Sequence, residues 1–395
     1  MRKLSLAAIA FYLNILAAFS QATTDSSSQY QSKKLTINEV NLVSSYYHQD
    51  GNNSAVTGGI GTEKLTDLSN TIDLKLTKID DRNRLHTLNL EVGVDHYTSA
   101  SSDKIDPSTI SSASSADTRF YPMVGYSIKN PSTGLTTGAE ISFSSEYDYI
   151  SKGLAFNLAK SSKDNNREFG LKLQAYLDQW KVILPIELRR FDDEGNHKPR
   201  NSYSASLSYS QVVNQHFQFS LVTDIVSQKG LLGTSYQRVY FKNNGGENYE
   251  HLPDSRFKIP LGIKANYFLG DRFIIRTSYR YYTDDWNVKA HTADLEIPIK
   301  ITPFFSLTPF YRYYTQTAAD YFAPYKEHLS GESFFTSDYD LSKFNSQFFG
   351  TGIRITPEKG IFGIDHWSML ELRYGHYNRN NGLNSNIISL NARFK

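Results

Sequence analysis

Cysteine is absent from the 395 residues. That excludes disulfides, thiolate metal sites and a lipid-modified cysteine near the N-terminus. A strong charge of one sign is absent too. The 42 basic and 40 acidic residues leave +2, so the chain has no field suited to nucleic acid or an anionic membrane surface. Beyond the N-terminal region, no apolar run approaches the roughly 20 residues of a membrane-spanning helix. Methionine and tryptophan occur three times each, against 27 tyrosines and 24 phenylalanines. A mean hydropathy of −0.46 beside so many aromatics suits strands with one apolar and one polar face.

The N-terminus reads as an export signal. Arg2 and Lys3 precede an apolar stretch from Leu4 to Ala18, and Ser20-Gln21-Ala22 offers small residues for cleavage. The expected organisation is a signal over 1–22, a Ser/Thr/Gln-rich leader over 23–34, and one domain over 35–395.

From Leu35 onward the chain alternates. Phe273, Ile275, Tyr279 and Tyr281 share one parity, and Arg276, Ser278 and Arg280 the other. Leu88, Leu90, Val92 and Val94 alternate with Asn89, Glu91, Gly93 and Asp95 in the same way. Period two predicts strands. About sixteen such segments appear, each near the ten residues a tilted strand needs to cross a bilayer. Connections such as "DDRN", "VNQH" and "LGD" are short. Those at 48–66, 99–117, 179–200, 229–255 and 318–342 are long and polar. Short turns at one end and long loops at the other predict an all-β, antiparallel, up-and-down transmembrane barrel of the bacterial outer-membrane kind. "YRYY" at 279–282 and 311–314 suggests an aromatic girdle. The last segment, "NIISLNARFK", ends in the alternating aromatic pattern that closes such barrels. A soluble sheet protein would show the same parity, but not the alternation of loop lengths.

In such a barrel the polar parity faces the interior. Sorted this way, the first nine strands are mostly acidic, with Glu91, Asp95, Glu140, Glu146 and Asp148. The last seven are mostly basic, with Lys264, Arg276, Arg280, Arg312, Arg354 and Arg373. An acidic wall should therefore face a basic one. A dry interior could not hold that many charges, so the lumen is expected to hold water, a polar plug or ion pairs.

Catalytic and metal motifs give little. His96, His291 and His376 fall near strand ends, and no H-x-x-x-H or G-x-S-x-G spacing occurs. No metal site and no cofactor is expected. A barrel hydrolase or protease, built from several strands, stays open as an alternative.

The stretch "DGNNSAVTGGIGTE", Asp50 to Glu63, fits neither a phosphate loop nor a calcium loop. Asp50-Gly51 reads as a tight turn, and Gly58, Gly59 and Gly61 allow positive φ or close backbone approach. With Glu63 they predict a compact fold-in that caps the mouth or tucks into the lumen. "SSYYHQDGNNSAVTGGIGTEKL" at 44–65, after "EVNLV", resembles the signature of the domain-of-unknown-function 3570 family. The resemblance spans essentially the whole chain after the signal. It implies an exported Gram-negative protein of the outer membrane with no assigned activity, and an association with flavin-transferase and thioredoxin-like neighbours. It also makes Thr57, in Asp50…Ser54-Ala55-Val56-Thr57, a candidate acceptor for covalent flavin.

The combined expectation is a porin-like channel or an export or assembly conduit. The alternatives are a barrel enzyme and a closed, partner-binding barrel working with a periplasmic redox system. Its partners would be outer-membrane lipid, the barrel-assembly machinery and a small periplasmic or lipoprotein component.

Overall fold

The computed structural model describes residues 34–98, 116–189 and 195–395. The signal over 1–22, the leader up to Lys33 and nearly all of the loop read at 99–117 lie outside the described residues.

The alternating segments form sixteen barrel strands: β1 (Thr36–Asp50), β2 (Leu65–Ile79), β3 (Leu85–Thr98), β4 (Ala116–Asn130), β5 (Leu135–Ser145), β6 (Tyr149–Ser161), β7 (Arg167–Lys181) and β8 (His197–Asn214). The second half is β9 (Phe217–Gly230), β10 (Ser255–Leu269), β11 (Phe273–Asp284), β12 (Lys289–Glu296, resumed at Ile299–Thr302), β13 (Phe305–Gln316), β14 (Phe344–Ile355), β15 (Trp367–Arg379) and β16 (Asn384–Phe394). Each strand pairs antiparallel with its sequence neighbours. The ring closes because Val40 on β1 faces Leu74 on β2 and Phe394 on β16. The barrel therefore has no exposed edge.

Two features escape the alternation. The apolar parity of Leu295, Ile297, Ile299 and Ile301 continues through β12, but Pro298 cannot donate to a ladder. The strand breaks there and resumes, with Ile299 paired to both Phe273 and Leu307. The loop between β9 and β10 carries its own ribbon, Arg238–Tyr240 against Glu247–Tyr249.

Side-chain contacts identify the inner face. Arg373 on β15 reaches Glu296 on β12 at 2.7 Å, passing β13 and β14. Only the concave side allows that reach. The opposite parity carries an apolar belt, with Leu207 53%, Leu261 46%, Leu295 40%, Leu372 49% and Ile388 46% exposed. A closed barrel wrapped in exposed leucine and isoleucine is a transmembrane β-barrel of the outer-membrane type.

The "YRYY" runs correct the girdle expectation. Tyr279, Tyr311 and Tyr313 are exposed on the outer face. Tyr282 turns inward and donates to Asp284 at 2.7 Å, and Tyr314 lines the lumen.

Candidate functional site

The basic and acidic walls hold their charges by different chemistry. On β11–β15 the arginines pair with acids of the same side of the barrel, most on their own or adjacent strands, while Arg280 and Arg373 reach across intervening strands. Arg276 meets Glu296 at 2.8 Å, Arg354 meets Glu371 at 2.6 Å, and Arg373 spans both acids. Arg312 pairs with Asp294, and Arg280 reaches Asp224 of β9 at 3.6 Å. The five arginines of the basic wall expected from the sequence thus form a lattice of ion pairs, and Lys264 lines the same side. A cavity of about 1110 Å³ runs along it, with Lys264, Arg276, Arg280, Arg312 and Arg373 among its lining residues.

On the acidic side, neutral donors do most of the holding. Asp95 accepts from Ser69 at 2.6 Å and from Tyr121 at 3.0 Å. Glu146 accepts from Tyr97, and Asp178 from Tyr149, both at 2.5 Å. Gly93 makes this possible, since a Cβ there would lie 2.0 Å from the Tyr121 ring. Among the described residues, the cations beside Glu140 and Glu146 stand off from them. Lys172 stands 3.9 Å from Glu140, and Arg119 stands 3.6 Å from Glu146. Glu91 faces Asp73 across the β2–β3 ladder. Asp148 is 4% exposed. Oxygens of Asp117, Glu146 and Asp148 gather within 4.8 Å of one another.

Long loops meet over the bore. The 51–64 loop joins β1 to β2, and the 231–254 loop joins β9 to β10, halfway round the ring. Yet Arg238 donates to the Val56 carbonyl at 2.9 Å and also binds Glu187 of the β7–β8 loop. The 317–343 loop completes the plug. Val239, Phe241 and Phe335 form one apolar cluster there. His328, 2% exposed, touches Glu332 at 2.5 Å and the Thr336 carbonyl at 2.9 Å.

Within the 51–64 loop, Gly58 and Gly59 have φ of 79° and 86°. A Cβ on Gly58 would lie 2.6 Å from the Tyr240 ring, and one on Gly59 would lie 2.8 Å from the Ser337 carbonyl. Gly61 also has positive φ, 86°. Gly51 does not serve as the tight turn expected of Asp50-Gly51. Its φ is not positive, its carbonyl accepts from Glu63 N at 2.9 Å, and a Cβ would collide with the Glu63 carboxylate. The fourteen-residue excursion needs close approach there rather than a reversal. Thr57 hydrogen-bonds the Ile60 carbonyl inside this turn.

The plug raises the pKa of three carboxyl groups, of which Glu250 is buried and Glu63 and Asp338 are half-buried. Burial pushes Glu63 up to about 7, with Asp340 adding to the effect. Burial, with Asp338 nearby, pushes Glu250 up to about 8. Asp338 is raised by burial and by Asp340. Glu250 links two loops, accepting from Thr234 N at 2.5 Å and from the Thr336 hydroxyl. None of these contacts was legible in spacing, because they join loops far apart in sequence.

The three histidines read from the sequence bond neutral groups: His96 to Thr118, His291 to Tyr279 and His376 to Asn386. None of these partners is an acid or a serine.

Solved barrels of known type resemble the chain weakly. A BenF-like porin from Pseudomonas fluorescens Pf-5 is 12% identical, with TM-score 0.42, covering 90% of this chain and 98% of that one. A bacterial polysaccharide outer membrane secretin is 11% identical, with TM-score 0.44 and coverage of 90% and 97%. Pseudomonas aeruginosa OccK9 (OpdG) is 9% identical, with TM-score 0.44 and coverage of 91% and 98%. No curated protein sequence matches the chain. The family described as "Protein of unknown function (DUF3570)" matches residues 2–387, so the chain belongs to that family.

Proposed function

We propose that the protein is a channel or conduit for small hydrophilic solutes in a Gram-negative outer membrane, narrowed by its own loops. The supporting observation is the cavity of about 1110 Å³ that runs down β9–β16 among paired charges. Charges lining an interior at this density need water around them, and a wet, charge-lined bore is how barrels pass polar solutes. No bond-breaking chemistry is required of the barrel itself. The loops meeting across the bore support a second reading, a closed barrel that binds a periplasmic or lipoprotein partner.

Single-channel conductance of refolded protein in a planar bilayer separates the two. Discrete steps with a reproducible reversal potential in a salt gradient support the channel. Arg276→Glu with Arg280→Glu should then move the reversal potential toward cation preference. Silence from a correctly folded, heat-modifiable barrel would sink the channel reading in favour of the closed one.

A further inference from the structure

The cavity of about 1110 Å³ carries two bare aromatic rings on a wall otherwise set with charge. Phe310 of β13 and Phe348 of β14 both line it, half-buried, with ring centroids 5.1 Å apart. Glycines make room for them. A Cβ on Gly375 would lie 2.5 Å from the Phe348 ring, and one on Gly350 would lie 2.7 Å from the Phe310 ring. The acidic wall uses the same packing differently. There Tyr121 sits over Gly93, and its hydroxyl holds Asp95. The two phenylalanines have no hydroxyl to give. Arg373 stacks on Phe310, 5.1 Å from the ring centroid, while among the described residues no cation stacks on Phe348.

The positive charge beside these rings is not fully met. The five arginines share Asp224, Asp294, Glu296 and Glu371. Lys264 lines the same cavity and, among the described residues, pairs with no acid. Six cations thus face four carboxylates. Two of the arginines are also open to the bore. Arg312 stands directly across the ladder from Phe348. Its side chain is 53% exposed, although Asp294 pairs with it. Arg280 is 56% exposed and stands 3.6 Å from Asp224, beyond hydrogen-bond reach.

We infer that this wall binds small organic anions that carry a flat apolar ring. The ring rests against Phe348, and the acid group meets the Arg312 guanidinium. Contact with an aromatic ring and a charge-assisted hydrogen bond are the two interactions the wall offers there. A bare inorganic anion can use only the second, so the hold on such a solute and the small-ion preference of the bore are set by different groups. The inference rests on the channel reading and names a class of solute for it.

The test uses the full refolded chain, with benzenesulfonate as probe. Methanesulfonate keeps the anion without the ring, and benzylammonium keeps the ring with the opposite charge. Saturation transfer from protein to probe, read by NMR in lipid nanodiscs, should saturate with benzenesulfonate and be much weaker with either control. Phe348→Ala should weaken binding by about threefold to tenfold. Arg312→Gln with Asp294→Asn leaves the net charge unchanged but removes the guanidinium, and should weaken binding by about tenfold. In bilayers, benzenesulfonate should block current carried by potassium chloride over the same concentration range. The inference is overturned by an unsaturable signal, by equal binding of either control, by a current that benzenesulfonate leaves unblocked, or by unchanged affinity in either variant with its folded band intact. Silence in potassium chloride would remove the channel reading instead, and the nanodisc titration would still decide the site.

Discussion

Raising the pH from 7 to 9 should loosen the plug, and Glu250 sets the size of the effect. Its carboxyl is pushed up to about 8 by burial and by Asp338. When the loops release, it should return to its ordinary value of 4.5. The closed plug therefore holds a proton that the released loops give up. For a raised carboxyl, the closed state's stability is complete below 4.5 and is lost as pH rises through 8. Between pH 7 and pH 9 the released state gains about 2.7 kcal/mol from ionisation and the closed state about 1.4, a net loss of about 1.4 kcal/mol. That is about tenfold in the ratio of closed to released plug. Glu63, at about 7, adds in the same direction but loses most of its share below pH 7. Glu250→Gln keeps the shape of the protonated acid and cannot ionise, so most of the dependence should vanish. Amide exchange of the 231–254 and 317–343 peptides, normalised to intrinsic rates, reads the ratio directly. Equal pH dependence in the wild type and Glu250→Gln, or protection that grows with pH, would refute the assignment of the switch to this carboxyl.

Other perturbations separate the plug from the barrel. Gly58→Val puts a side chain at φ 79° against the Tyr240 ring, which should cost about 1–3 kcal/mol locally. Proteolysis of the loops should quicken while the barrel's heat-modifiable band stays unchanged. Leu207→Lys places a charge on the lipid face of β8, where the leucine is 53% exposed. The cost should be about 2–4 kcal/mol at the bilayer midplane, read by folding titrations in lipid vesicles. Ser206→Lys, one residue away and opposite Asp224, should cost far less, and equal costs would show that the parity has been assigned the wrong way round.

The barrel was legible because its cause is local. A strand with one face in lipid and one in water must alternate, and each strand writes that pattern on its own residues. All sixteen strand starts fall close to the alternating segments. The widest gap is at β8, which begins at His197 where the alternation suggests a start near 201. The plug was not legible for the opposite reason. Arg238 meets Val56, and Glu250 meets Thr336, across long stretches of sequence. Nothing in "QRVYF" or "NYEHL" announces such a partner. The glycines of 58–61 signalled tight backbone, but not that Tyr240 and Ser337 would be what they press against. Tyrosine was half read. The girdle explains Tyr279 and Tyr311, while inward Tyr97, Tyr121, Tyr149 and Tyr282 hold carboxylates, a role that parity marks as interior without naming a partner.

That division of labour decides which wall should govern selectivity. Along β9–β15, Arg276, Arg280, Arg312, Arg354 and Arg373 share Asp224, Asp294, Glu296 and Glu371. The field of those arginines is largely cancelled within the wall. Tyrosine, serine and asparagine satisfy the opposite acids without neutralising them, since a hydroxyl or amide donor brings no net charge. Glu91, Asp95, Asp178 and Asp73 should therefore dominate the potential in the bore, although formal counting makes the arginines more conspicuous. Two equal changes of charge test this. Glu91→Gln with Glu140→Gln removes two negative charges from the acidic wall. Arg276→Gln with Arg280→Gln removes two positive charges and leaves Glu296 with Arg373. The first pair should move the reversal potential in a potassium chloride gradient further than the second, away from cation preference. A larger shift from the arginine pair would mean that the ion-pair lattice leaves its cations unscreened, and that the basic wall, not the acidic one, sets the preference of the pore.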